Sequence, residues 1–232
     1  IQVETDDDDC RIISLTGEAE LTPQKIKVPG DPSSAAFMVV AALIVPGSDI
    51  VIENVGINPT RTGLFDVLRD MGGDIRFAKK RTVGGEPVAD IHVRHSALTG
   101  IEVPAKIAPS MIDEFPILFI AAAMASGQTI TSGLHELRVK ESDRLSQMAR
   151  GLELLGVKLT EKEDGLTIEG SGGKTLSGGK AKAMIETALD HRIAMSFAIA
   201  GLATKSGLAI DDITPTQTSF PGFENLLATL AS

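Results

Sequence analysis

Three times in this chain an aspartate precedes a run of apolar residues that leaves no polar face: Asp31 before 33–45, Asp113 before 115–123, and Asp190 before 193–202. The three aspartates are 82 and 77 residues apart, too long a period for a solenoid and suited to a β-α-β-α-β-β unit. Asp31 followed by Pro32 reads as a cap and a first helical residue. After each apolar helix come a glycine (Gly47, Gly127, Gly207) and a short strand (50–52, 129–131, 208–211). An amphipathic helix then follows, carried by Leu64, Leu68 and Met71, by Leu145, Met148, Leu152 and Leu155, or by Phe220, Phe223, Leu227 and Leu230. Further strands are predicted at 26–28, 74–77, 91–93 and 101–103, and a hairpin of 3–5 with 11–15 around the acidic run 6–9. A helix that is apolar all round must be enclosed, whereas an amphipathic one keeps a wet side. The expected fold class is therefore α/β, a threefold repeat of β-α-β-α-β-β units with buried central helices and sheets outside.

The local rules are broken most sharply at Arg138-Val139-Lys140-Glu141-Ser142-Asp143-Arg144, five charges in seven residues at the start of the second amphipathic helix. Ser142 is the expected cap. Arg144 then falls in the first turn, where the helix dipole already presents positive charge, so an anion is expected to compensate it. A solvated salt-bridge cluster is the alternative, and this stretch alone does not choose between them. If the starts of successive units converge at one end, Asp113, Glu141, Arg144, His191 and Arg192 meet there.

Composition limits the partners. A net charge of −9 disfavours a general nucleic-acid surface but leaves room for a local cationic pocket. The lone Cys10 permits no intrachain disulfide and fits a reducing compartment, so the cytoplasm is expected. The apolar runs near 35–46, 116–126 and 193–203 are shorter than the roughly 20 residues of a membrane span, and no membrane partner is expected. His92, His95 and His135 have no carboxylate or cysteine neighbours at metal-ligand spacing, and neither a metal nor a cofactor is implied. Ser171-Gly172-Gly173-Lys174-Thr175 suggests a phosphate loop, but Ile168 stands where the first glycine belongs, and a turn is expected.

Lys27-Val28-Pro29-Gly30-Asp31-Pro32-Ser33-Ser34, Asn58-Pro59-Thr60-Arg61, Ile112-Asp113-Glu114, the segment 137–144 and Asp190-His191-Arg192 occur in an order that resembles the 5-enolpyruvylshikimate-3-phosphate synthase family. The resemblance spans nearly the whole chain, and Arg-Val-Lys-Glu-Ser-Asp-Arg is its most specific part. It implies the enolpyruvyl transferase fold, an inside-out α/β barrel built from two globules of three units each. It also implies the reaction, transfer of the enolpyruvyl group of phosphoenolpyruvate to the 5-hydroxyl of shikimate 3-phosphate with release of phosphate. By the same resemblance Glu141 donates a proton to phosphoenolpyruvate, and Asp113 contacts the 5-hydroxyl as a candidate base. Lys140, with Asp113, reaches shikimate 3-phosphate. Arg144, His191 and Arg192 hold phosphoenolpyruvate, guanidinium forks suiting carboxylate and phosphate alike.

The resemblance further implies a C-terminal fragment, with residues 1–26 a remnant of the other domain and 27–232 a globule of three repeats missing its N-terminal strand. The N-terminal domain of the same enzyme is then the expected partner, the chain alone should be inactive, and the full-length enzyme should be a monomer. Asn58-Pro59-Thr60-Arg61 is similar to a pattern of the family's glyphosate-tolerant class. Two positions depart from the family: Thr218 stands where many members carry a lysine, and Glu136 where some carry an asparagine. Bland alternatives stand beside each role: Asp113 as a cap, Lys140 and Glu141 as an exposed pair, Arg192 bridged to Asp190, and His191 as a core histidine. Two other functions remain open, a UDP-N-acetylglucosamine 1-carboxyvinyltransferase and a non-enzymatic repeat scaffold.

Overall fold

The structure is a computed structural model and describes residues 1–7, 10–18, 20–23, 25–177, 184–205 and 207–230. The first elements are β1 (Gln2–Thr5) and β2 (Arg11–Ser14), an antiparallel hairpin exposed along its whole length. Of the acidic run between them, Asp8 and Asp9 lie outside the described residues.

Three central helices follow: α1 (Pro32–Ile44), α3 (Phe115–Met124) and α5 (His191–Gly201). They pack on one another, and α3 is buried at every position, as a helix without a polar face requires. Asp31 caps α1 by accepting from the Ser33 and Ser34 amides, and Asp190 caps α5 by accepting from Arg192. The outer layer of the first unit holds α2 (Gly63–Asp70) and a sheet of β3 (Asp49–Gly56), β4 (Asp74–Val83) and β5 (Glu86–Arg94). The second unit repeats it with α4 (Arg144–Leu154), β6 (Gln128–Ile130), β7 (Lys158–Lys162) and β8 (Gly165–Glu169). The two sheets share one order, β3-β5-β4 and β6-β8-β7, with antiparallel pairing throughout. In the third unit β9 (Met184–Ile185) pairs in parallel with β10 (Ala209–Ile210), and α6 (Thr216–Ser219) and α7 (Phe223–Leu230) stand in for the amphipathic helix.

The parallel β9–β10 pair has counterparts in the other units only as isolated bridges: Gly30 with Val55 in the first, and Thr99 with Ser126 and Glu102 with Ile130 in the second. The strands predicted at 26–28 and 101–103 are therefore corrected: 26–28 makes no bridge, the chain first meeting β3 at Gly30, and 101–103 meets β6 at Glu102 alone. Pro29, Pro32 and Pro104 flank them and can donate no ladder hydrogen bond, and Ile26 and Val28 stay exposed. Three further boundaries differ. Asp113 lies in a tight turn, Ile112–Glu114, ahead of α3 and makes no capping bond. Asp143, not Ser142, caps α4 by accepting from the Ser146 amide. Asn58-Pro59-Thr60-Arg61, whose sequence is suited to open the amphipathic helix through Leu64, Leu68 and Met71, instead forms its own turn, Pro59–Arg61, capped by Asn58 and separate from α2.

Ser171-Gly172-Gly173 is a turn, as its sequence suggests. The amides of Ser171, Gly172 and Gly173 donate to the Ala123, Ala125 and Met124 carbonyls at the end of α3, so they close that helix and do not face a ligand. His95 serves α1 in a similar way, its Nδ1 lying 2.8 Å from the Leu43 carbonyl oxygen. A second polar device holds the first sheet. Asp90, nearly buried, accepts from the Asn54 amide at 2.9 Å and from Arg81 at 3.2 Å, with Lys79 Nζ 3.0 Å away. Asn54 and Lys79 have positive φ, 58° and 47°, and sit in the bulges of β3 and β4, so one carboxylate fixes both irregularities.

Candidate active site

The largest fully buried side chain among the described residues is a charged one, Arg144, at 1% exposure. Its position follows from local structure: Asp143 caps α4, and Arg144, the first helical residue, points inward where α3 and α5 also begin. Its guanidinium meets three carboxylates. Nε donates to Asp190 Oδ2 at 2.8 Å, Nη1 to Asp113 Oδ1 at 2.9 Å, and Nη2 to Glu141 Oε2 at 2.5 Å. The anion that the sequence called for at this helix start is thus supplied by the chain's own carboxylates.

Asp190 is 0% exposed and also accepts from the Ser142 hydroxyl at 2.9 Å and the Arg192 amide at 2.9 Å. Burial raises the affinity of Asp190 for a proton, but the Arg144 hydrogen bond and charge outweigh it and hold the carboxyl below its usual range. At Asp113 burial is likewise the largest influence, and the charges of Arg192, Lys140 and Arg144 overcome it, so this carboxyl too is lowered and ionised. Lys140 Nζ is 3.6 Å from Asp113 and 2.5 Å from Glu136, and the hydrogen bond to Glu136 raises the ammonium's pKa. Arg192 Nη1 donates to the Asp113 carbonyl oxygen at 3.2 Å, and its Nη2 lies 3.9 Å from Asp113 Oδ2. It forms no side-chain bridge to Asp190, because Arg144 and the α5 cap occupy that carboxylate. His191 is half-buried, and burial followed by the Arg192 charge lowers its pKa, favouring the neutral ring.

All six residues expected at the site, Asp113, Lys140, Glu141, Arg144, His191 and Arg192, therefore stand around the starts of α3, α4 and α5. The charged stretch divides in two. Arg138 and Asp143 serve the fold: Arg138 donates to Asp143, Glu161 and the Glu163 and Lys162 carbonyls, pinning α4 to the β7–β8 hairpin. Lys140, Glu141 and Arg144 face the cluster. In the sequence the position of Asp190 is fully explained by capping α5, and its second role as the partner of Arg144 exists only in the folded chain. Glu114 receives Arg192 Nη1 at 3.5 Å, a role that its place beside Asp113 in the sequence does not by itself announce. The signal available was a second acidic residue directly before an apolar run.

Arg144 and Asp190 form the enclosed base of the cluster, and Lys140, Asp113 and Glu141 are its solvent-facing side. Beside it, a small cavity of about 30 Å³ lies between the starts of α1 and α5, lined by Asp31, Ser33, His191, Arg192 and Ser219. The larger hollows, such as one of about 410 Å³ at Gln147, Arg150, Glu153, Met184 and Glu186, are elsewhere. Among the described residues no group of three or more His, Cys, Asp or Glu is arranged to hold a metal ion, and no helix is long and apolar enough to cross a membrane.

The profile of EPSP synthase (3-phosphoshikimate 1-carboxyvinyltransferase) matches residues 1–227. The 3-phosphoshikimate 1-carboxyvinyltransferase of Novosphingobium aromaticivorans is 63% identical over 95% of this chain and 50% of its own length. That of Sphingopyxis alaskensis is 61% identical over 99% of this chain and 51% of its own. The chain thus spans about half the length of the curated relatives it matches. Among solved structures, the EPSP synthase of Acinetobacter baumannii superposes with a TM-score of 0.88 at 48% identity, over 100% of this chain and 52% of that one. The enolpyruvyl transferase NikO of Streptomyces tendae shares the fold, with a TM-score of 0.62 at 16% identity over 85% of this chain and 42% of its own. With the repeat, the charged helix start and these matches in agreement, the chain belongs to the EPSP synthase family.

Proposed function

We propose that this chain supplies one wall of an active site that transfers the enolpyruvyl group of phosphoenolpyruvate to the 5-hydroxyl of shikimate 3-phosphate. The carrying observation is the meeting of Asp113, Glu141, Arg144 and Arg192 at one open end. Two carboxylates and two guanidinium groups there match a reaction that moves two protons on a doubly anionic substrate. In the addition step the 5-oxygen bonds to C2 of phosphoenolpyruvate, Asp113 takes the hydroxyl proton and Glu141 delivers one to the methylene carbon. In the elimination step the C2–phosphate oxygen bond breaks and a methyl proton returns to Glu141, restoring the double bond, while the proton held by Asp113 leaves with the phosphate. Arg144 and Arg192 hold the carboxylate and phosphate, His191 lies beside the phosphate, and Lys140 reaches shikimate 3-phosphate. Since Arg144 is enclosed by three carboxylates, it can take a substrate anion only by exchange. Glu141, 54% exposed, is the partner most easily displaced, and its release frees acid and clamp together.

The half-length match to its relatives favours a second domain of the same enzyme as partner, with 27–232 forming the three-repeat globule and 1–26 belonging to the other domain. The exposed apolar side chains Val3, Ile13 and Leu15 on the hairpin are consistent with that division. A cytoplasmic setting, which the single cysteine favours, and a monomeric full-length enzyme belong to the same proposal.

A phosphate-release assay on a full-length enzyme carrying this chain tests the reading, first with shikimate 3-phosphate and then with UDP-N-acetylglucosamine. Turnover with the first supports it, turnover with the second alone reassigns the acceptor, and turnover with neither refutes it. Tolerance of glyphosate, suggested by Asn58-Pro59-Thr60-Arg61, is read in the same assay, and inhibition at low inhibitor concentration would exclude it.

A further inference from the structure

We infer that Glu114 is a positioning residue for phosphoenolpyruvate: it holds the Arg192 guanidinium at the end of the cluster. The inference rests on the reading that Arg192 binds that substrate, and it assigns a function to a residue the mechanism does not use. Glu114 is the residue directly before α3 and is only 6% exposed, in a fold that otherwise buries charge at Asp90, Arg144 and Asp190. A buried carboxylate is unfavourable without partners, so those it has indicate what it does.

Its partners lie on two other units. Arg192 Nη1, on α5, donates to Oε1 at 3.5 Å, and the Ser33 hydroxyl, in the first turn of α1, lies near enough to favour the ionised form of the same carboxylate. Ser33 Oγ in turn accepts from Arg61 Nη2 at 3.0 Å. Glu114 thereby stands where the starts of the three central helices meet, between the Arg61–Ser33 pair on one side and Arg192 with Asp113 on the other. Arg192 itself is 16% exposed, with Nη1 shared between Glu114 and the Asp113 carbonyl oxygen. These two acceptors fix the plane of the guanidinium, leaving Nη2, 3.9 Å from Asp113 Oδ2, free to turn to a ligand. Burial raises the Glu114 pKa, opposed by the Ser33 hydroxyl and the Arg192 charge, as befits a carboxylate kept for its contacts despite its surroundings.

Simple electrostatics and positioning predict opposite signs. If Glu114 were only a nearby negative charge, removing it would strengthen binding of an anion. If it aims Arg192, removing it weakens binding. In the full-length enzyme, Glu114→Ala should raise KM for phosphoenolpyruvate about tenfold and leave KM for shikimate 3-phosphate within about twofold. Glu114→Gln, which keeps an acceptor oxygen, should restore KM to within about threefold of the parent. An unchanged or lowered KM for phosphoenolpyruvate in Glu114→Ala overturns the inference. So does an equal rise in both KM values, which signals a general loss of structure. Should Glu114→Ala not accumulate folded, Glu114→Asp, with the charge kept and the reach shortened, carries the same comparison. Titration with inorganic phosphate separates this inference from the functional reading. An enzyme without turnover refutes the reading, whereas equal phosphate affinity in parent and variant refutes the positioning of Arg192.

Discussion

Replacing Asp190 by alanine removes the partner on which the buried Arg144 chiefly depends. The two side chains are 0% and 1% exposed, joined at 2.8 Å through Nε and more weakly at 3.5 Å through Nη2, and Asp190 also caps α5. Deleting one member of a buried pair costs about 3 to 5 kcal/mol, because the remaining charge stays uncompensated. Asp113 and Glu141 still face Arg144 and offset part of this, while loss of the cap adds about 1 kcal/mol. A net loss of about 4 kcal/mol corresponds to a fall in Tm of roughly 8 to 16 °C for a domain of this size. Asp190→Asn, which keeps the cap and a neutral acceptor, should lose about half as much. Calorimetry at pH 7 reads both, and a cycle with Arg144→Met isolates the pair. The double variant should be more stable than the sum of the single losses by at least about 2 kcal/mol. The pH dependence has a fixed sign. Since the folded pKa of Asp190 is depressed, its contribution is present above the unfolded value near 4 and is lost as pH falls through the folded value, so parent and Asp190→Ala should converge in acid. A loss under about 1 kcal/mol at pH 7, or strictly additive single effects, would refute the account of Arg144 as a charge held by Asp190.

Glu141→Ala should lower turnover by about 10² to 10⁴ with little change in Tm, because Glu141 is half-exposed and its loss leaves Arg144 with Asp190 and Asp113; steady-state kinetics beside a thermal melt decides it, and retained turnover removes Glu141 as the acid. Gly151→Ala should destabilise by about 1 to 3 kcal/mol although alanine is the better helix former, since its Cβ would lie 2.1 Å from Phe197 Cζ; a raised denaturation midpoint would contradict that packing. Asp90, lowered to about 2 chiefly by the Asn54 amide and the Lys79 and Arg81 contacts, contributes stability above about pH 4 that disappears as pH falls toward 2. Asp90→Asn should flatten that acid limb, and an unaltered pH profile would count against the role of Asp90 in the two bulges.

What could be read from the sequence was local. Apolar runs with no polar side demand enclosure wherever they occur, and Asp31 and Asp190 are placed to cap the helices that follow them, so the repeat and the buried central helices follow from pattern alone. The strands at 26–28 and 101–103 failed for a related reason. Their pattern is extended, but a strand also needs a partner along several residues, and packing gives 101–103 one bridge, Glu102 with Ile130, and 26–28 none.

The site needed more than pattern, because it is made by pairing across units. By position Asp31, Asp113 and Asp190 are equivalent, and the sequence treats all three as caps. Packing separates them: Asp31 caps, Asp113 makes no cap and turns to Arg144 and Lys140, and Asp190 does both. Arg144 lies 46 residues from Asp190 and 31 from Asp113, distances along the chain that no periodicity encodes. The sequence determined that a cation would stand at the start of α4 and that an anion must meet it. Only the convergence of three central helices decided which carboxylates those are, since a buried charge takes the partners that packing brings within hydrogen-bond reach.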